Sequence, residues 1–164
     1  MDEQKANSKI NEQDYPGVDA AYGIAMQSYE WAIKRLDSIH NNATNLIAWA
    51  TSVTLAIVGV VASLKKGIDL SSCPLIIALL SFGIAVILSV VARVSGYLAL
   101  LNPADMYLQL HKSDWHFKKD RIYFAGEHWK KNARMINTKG RLLSFASTLL
   151  FIEALALIFW FRSL

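Results

Sequence analysis

Residues 22–64 read YGIAMQSYEWAIKRLDSIHNNATNLIAWATSVTLAIVGVVASL, and the reading of this stretch decides the fold. In its first half Tyr22, Met26, Tyr29, Ile33, Leu36, His40, Ala43 and Ile47 recur at alternating spacings of four and three, the period of one helical face. Its second half, 46–64, carries no charged residue. No proline and no adjacent pair of glycines separates the halves, so nothing local ends the helix between them. The stretch predicts one long helix over 20–64 that begins in water and continues into hydrocarbon.

Two further apolar blocks, 75–92 and 142–161, approach the roughly 20 residues that cross a bilayer core about 30 Å thick. None of the three blocks keeps a polar face, which argues against a buried three-helix core in a soluble protein. The expected fold is therefore an all-α integral membrane protein with three transmembrane helices, at about 46–64, 75–95 and 142–161, and cytoplasmic helical extensions. Residues 1–19 are polar and carry the turn signal Pro16-Gly17, which predicts a disordered tail with Asp19 as N-cap. Residues 20–164 then form a single helical membrane domain. The second span is expected to end near Arg93, with continuation as helix to Leu101 the alternative, since Asn102-Pro103 is the first strong breaker. Helical sequence resumes within 102–141, from Asp114 onward. The connection 65–74 is short and makes the first two spans an antiparallel hairpin.

Orientation follows from the lysines and arginines flanking the spans. With three spans, the first 45 residues and the segment 102–141 share a side, and together they hold thirteen cations. The other side has three, Lys65, Lys66 and Arg162. The expected placement is the cell inner membrane, multi-pass, with the N-terminus cytoplasmic and the C-terminus outside. The first 45 residues contain no long apolar run, so the first span itself is expected to direct insertion.

Chemistry of the enzymatic kind finds little support. The single cysteine, Cys73, excludes an internal disulfide and multi-cysteine metal sites. The four histidines form no metal-binding motif, and the glycines form neither a phosphate loop nor a nucleophile elbow. The 40 residues of 102–141 are too few to enclose a conventional active site. The reading is a non-enzymatic protein without cofactor or metal, and with no nucleic-acid partner.

Charge divides the two polar segments. Before the first span seven carboxylates face four cations, whereas 102–141 has nine cations against four carboxylates. A bland positive-inside surface accounts for the second segment alone. The sharper expectation is that the acidic helix docks on the basic one, since each also has an apolar stripe to bury. Lys118, Lys119, Arg121, Trp129, Lys130 and Lys131 are the candidate surface for a cytoplasmic partner or for anionic lipid, which attracts each nearby cation by about 1 kcal/mol.

Within the spans an ionisable residue is costly and is a functional candidate by default. Glu153 is that residue, about 17 Å into the third span at 1.5 Å per residue. Arg93, at the inner end of the second span, differs from it in depth by about 15 Å, which argues against direct pairing. Thr54 and Ser81 lie closer in depth to Glu153, and Ser81, Ala85, Ser89 and Arg93 fall four apart. The candidate intramembrane polar or gating set is thus Glu153, Arg93, Thr54, Ser81 and Ser89. The alternatives for Glu153 are a hydrogen bond across the bundle or a subunit interface, and a pore lining or gate. Ala48, Ser52, Ala56, Gly59 and Ser63 make a small-residue seam on the first span, suited to close helix contact.

The segment YEWAIKRLDSIHNNATNLIAWATSVTLAI, 29–57, resembles the entry to the SLATT-type and Pycsar-like small membrane effectors of prokaryotic antiviral defence. In both, a charged helix with an aromatic lead and an Arg-Leu-Asp-like core runs directly into the first of a pair of spans. The resemblance covers about 22–101; the third span and the basic connection depart from the simplest two-span form. It implies a homo-oligomer that permeabilises or depolarises the inner membrane when a sensor partner or nucleotide signal activates it. A second reading is a membrane anchor that recruits a cytoplasmic complex, and a third is a holin-like or small transport protein.

Overall fold

A computed structural model describes residues 16–64 and 72–163, and among them every regular element is helical. The expectations for the tail before residue 16 and for the connection 65–71 lie outside the described residues. The helices are α1 (Val18–Leu64), α2 (Cys73–Val94), α3 (Pro103–Tyr107) and α4 (Asp114–Ser163). Three of them, α1, α2 and α4, are long and apolar enough to cross a membrane. The chain is an all-α, multi-pass membrane protein.

Local chemistry sets the boundaries. α1 begins at Val18, with the first bond from the Ala21 amide to the Gly17 carbonyl at 2.9 Å, so Asp19 falls in the first turn rather than at the cap. A carboxylate there complements the positive end of the helix dipole. α2 ends at Val94, beside the expected end near Arg93, and does not continue to Leu101. Ser95 is extended, and Gly96 takes φ +75, a left-handed conformation that favours glycine. Beyond it, Asn102 caps α3 by accepting from the Ala104 amide at 3.1 Å. α4 then runs 50 residues through Gly140 without interruption, merging the expected polar helix and third span into one element.

The chain divides into two compact units, one of Met1–Ile33 with Leu98–Ala133 and one of Lys34–Tyr97 with Arg134–Leu164. In the first, Ala25, Tyr29 and Ala125 form the core, with Met26, Leu101 and Ile122 packed on it. Asn132 is buried there, and its amide holds both backbone groups of Ala99, accepting from the N–H at 2.8 Å and donating to the carbonyl at 2.9 Å. A non-helical strip of backbone is thereby satisfied by one side chain.

In the second unit α1, α2 and α4 share a core of Val61, Leu75, Ala78, Ala156, Leu157 and Trp160. The inward positions of α4, from Ile136 through Lys139, Leu143, Ala146, Leu150, Glu153 and Leu157 to Trp160, alternate strictly at three and four. That 3.5-residue period is a coiled-coil seam. α1 turns Ala43, Ala50, Thr54 and Val61 inward. The expected small-residue seam lies on its other side: Ala48, Ser52, Ala56, Gly59 and Ser63 are exposed. The period of the apolar stripe, continued through the span, selects the buried face, and small size alone does not.

The two units place α1 beside α4 at the same offset. Asp19–Lys118 and Tyr29–His128 in the first unit are each 99 residues apart, and so is Thr54–Glu153 in the second. A constant offset, rather than a constant sum, means that the helices run parallel.

Candidate functional site

The membrane-length helices gather polar side chains. Glu153 is 4% exposed, and Thr54, Ser81 and Ser89 are buried with it on the inward faces of their helices. Thr54 Oγ1 is hydrogen-bonded to Glu153 Oε1 and lies 2.8 Å from the Ala50 carbonyl. A threonine has one hydroxyl proton, so only one of these bonds is donated by Thr54. Arg93 stands apart: its side chain is exposed at the end of α2, and Ala92 takes the buried position. Four of the five candidates are therefore buried in one unit, and a direct contact is shown for Thr54 with Glu153.

Lys139, which the sequence reading passes over, is buried at the same end of the unit as the close of α2. Its ammonium lies 3.5 Å from the Arg93 carbonyl, one of the acceptors a helix leaves unbonded in its last turn. Burial holds the ammonium below lysine's ordinary value. No apolar-periodicity argument marks it, because a lysine at a seam position reads as an interruption.

In the first unit, helices of opposite charge dock. Tyr29 Oη and His128 Nδ1 are 2.7 Å apart, and the Trp31 and Trp129 rings are 5.0 Å apart. Burial pushes the Tyr29 phenol up, and the charge of Arg121 opposes that shift. Lys118 bridges Asp114, in the turn before it, and Asp19 at 2.6 Å, and these carboxylates hold its ammonium above the usual lysine range.

The expected basic surface is thus divided. Lys119 lies 5.1 Å from the Trp115 ring, Lys130 pairs with Glu127 at 3.6 Å, and Lys131 is exposed. Trp129 is 40% exposed. Arg121 is the exception, because it is 1% exposed and faces inward, its guanidinium 5.0 Å from the Phe117 ring. Spacing explains the difference: 121 continues the inward series of Trp115, Ala125 and Asn132, whereas 119, 130 and 131 lie off it.

Beside Arg121 the first unit has a cavity of about 400 Å³, whose polar lining includes Asn102, Asp105, Gln109 and His128. Among the described residues no three metal-ligating side chains cluster. Comparison with family profiles, curated proteins and solved structures finds no match.

Proposed function

We propose that the chain is a gated membrane effector of antiviral defence, which oligomerises and permeabilises the inner membrane when a sensor partner or nucleotide signal triggers it. One observation carries this reading: Thr54, Ser81, Ser89 and Glu153 are buried on the inward faces of membrane-length helices. Three helices alone enclose no water, and in this closed arrangement the polar groups are turned away from lipid. Opened between several copies, the same faces offer a polar path across hydrocarbon. The exposed small-residue seam of α1 gives those copies a close-packing face. The cation count supports a cytoplasmic N-terminus and an external C-terminus, which puts the docked polar helices on the cytoplasmic side.

Inducible expression with a potential-sensitive dye tests the proposal. Depolarisation on triggering, with growth arrest, is expected. An unchanged potential under overexpression and with the trigger present contradicts it. Capture of a cytoplasmic complex in mild detergent, lost on charge reversal at Lys130 and Lys131 while the potential never changes, would establish the anchor reading instead.

A further inference from the structure

The guanidinium of Arg121 has a role that neither insertion nor docking uses. Its Nε and Nη2 are buried without a hydrogen-bond partner, and among the described residues no carboxylate forms an ion pair with it. These two nitrogens form one edge of the guanidinium, the fork that grips a carboxylate or phosphate through two parallel N–H···O bonds. The Phe117 ring supports the group. A buried cation that no described carboxylate pairs with is costly, and packing at this position would be served as well by a neutral side chain.

The cavity that Arg121 lines supplies the rest. Its volume, about 400 Å³, is at the small end of the range for ligand pockets. Gln109 also lines it, and its Oε1 is buried without a donor. His128 is fixed on the wall by Tyr29, and Phe124 adds an aromatic surface. Asp105 on the same wall disfavours polyanions.

We propose that this cavity binds a small phosphate-bearing ligand, with the phosphoryl group on the Arg121 fork and a ligand hydroxyl or amine donating to Gln109. A monophosphate fits the charge of the wall better than a triphosphate. The chemistry is shared by soluble sugar or nucleoside monophosphates and by the headgroup of phosphatidylglycerol, whose glycerol carries hydroxyl donors. The site is independent of permeabilisation, because its readout is binding.

Thermal unfolding of the full chain in zwitterionic micelles, with inorganic phosphate, ribose 5-phosphate, adenosine monophosphate or added phosphatidylglycerol, tests it. At least one of these probes is expected to raise the unfolding midpoint. Response to the soluble probes marks a metabolite site, and response to phosphatidylglycerol alone marks a lipid site. Arg121→Met is expected to weaken binding roughly tenfold or more, while unfolding above the parent when no probe is present. The exposed-site variant Arg134→Gln should bind as the parent does. Gln109→Leu should weaken binding of the hydroxyl-bearing probes but not of inorganic phosphate, and it keeps the test available if Arg121→Met fails to fold. No stabilisation by any probe, or equal stabilisation of parent and Arg121→Met, overturns the proposal.

Discussion

Thr54 and Glu153 are hydrogen-bonded between two membrane-length helices, and the 99 residues that separate them also separate Tyr29 from His128. Each unit thus holds α1 and α4 parallel at one register. The consequences can be measured separately in each unit.

The register is open to cross-linking. With Cys73 replaced by alanine, cysteines at Ala25 and Ala125 are expected to form a disulfide under mild oxidation, as are cysteines at Ile57 and Ala156. Both pairs lie within shared cores. Displacing one partner of either pair by two residues should abolish the bond, because 200° of helical rotation carries it off the seam. Equal yields from matched and displaced pairs would contradict the register.

At Glu153 a hydrogen bond can be separated from a charge. A glutamine amide can donate to Thr54 Oγ1 while Thr54 donates to the Ala50 carbonyl, so Glu153→Gln should change stability by less than about 0.6 kcal/mol. Thr54→Val leaves the carboxyl without its partner and should cost about 1–3 kcal/mol. Unfolding in graded anionic detergent reads both values.

Lys139 and Tyr29 should give alkaline stability opposite slopes. Burial lowers the folded-state value of Lys139 below the ordinary 10.5, so the folded state releases this proton first, and stability rises with pH between the two values. Burial raises Tyr29 above 10.0, so the stability it contributes is present below pH 10.0 and is lost as pH climbs through the folded-state value. Lys139→Met should remove the rise, and Tyr29→Phe the loss. Unfolding midpoints from pH 8 to 11 check both.

Two glycines should respond in opposite directions. A Cβ at Gly96 would meet Met135 Sδ at 2.9 Å on a backbone of φ +75, so Gly96→Ala should cost about 1–2 kcal/mol. Nothing lies within 4 Å of a Cβ at Gly140, in the interior of α4, so Gly140→Ala should stabilise by about 0.5–1 kcal/mol. Thermal unfolding of the two variants beside the parent is sufficient.

These contacts show where the sequence is legible. Apolar blocks of membrane length are visible because hydrocarbon demands them, and the alternating stripe from Tyr22 to Ile47 gives the docking face of α1 only in part: Tyr29 and Ala43 are buried, but so are Ala25, Ala32 and Ile39 beside the stripe, while Ile33 is exposed. The end of α2 at Val94 is legible from the close of the apolar block near Arg93, and the left-handed Gly96 follows two residues on. Arg121 and Lys139 are hidden. Charge marks them as surface residues, and only their place in the periodic series, once α4 is known to be continuous, turns them inward. The small-residue seam of α1 marks a face suited to close contact without naming the partner, and within one chain Ala48 and Ser52 on it are exposed.

Cys73 is the one cysteine and is exposed at the start of α2, so it reports orientation directly. A membrane-impermeant maleimide should label it in right-side-out spheroplasts without lysis. Labelling only after lysis would reverse the proposed topology.

Release of a trapped dye from vesicles tests whether the buried polar seam of Thr54 and Glu153 holds the helices closed. Purified parent, Thr54→Val and Thr54→Asp are reconstituted at equal density into vesicles of bacterial lipid. Thr54→Asp sets a second carboxyl against Glu153 and forces the seam apart. Rapid release by Thr54→Asp without any trigger is expected, with parent and Thr54→Val remaining tight. Inserted Thr54→Asp that leaves the vesicles as tight as the parent would contradict it.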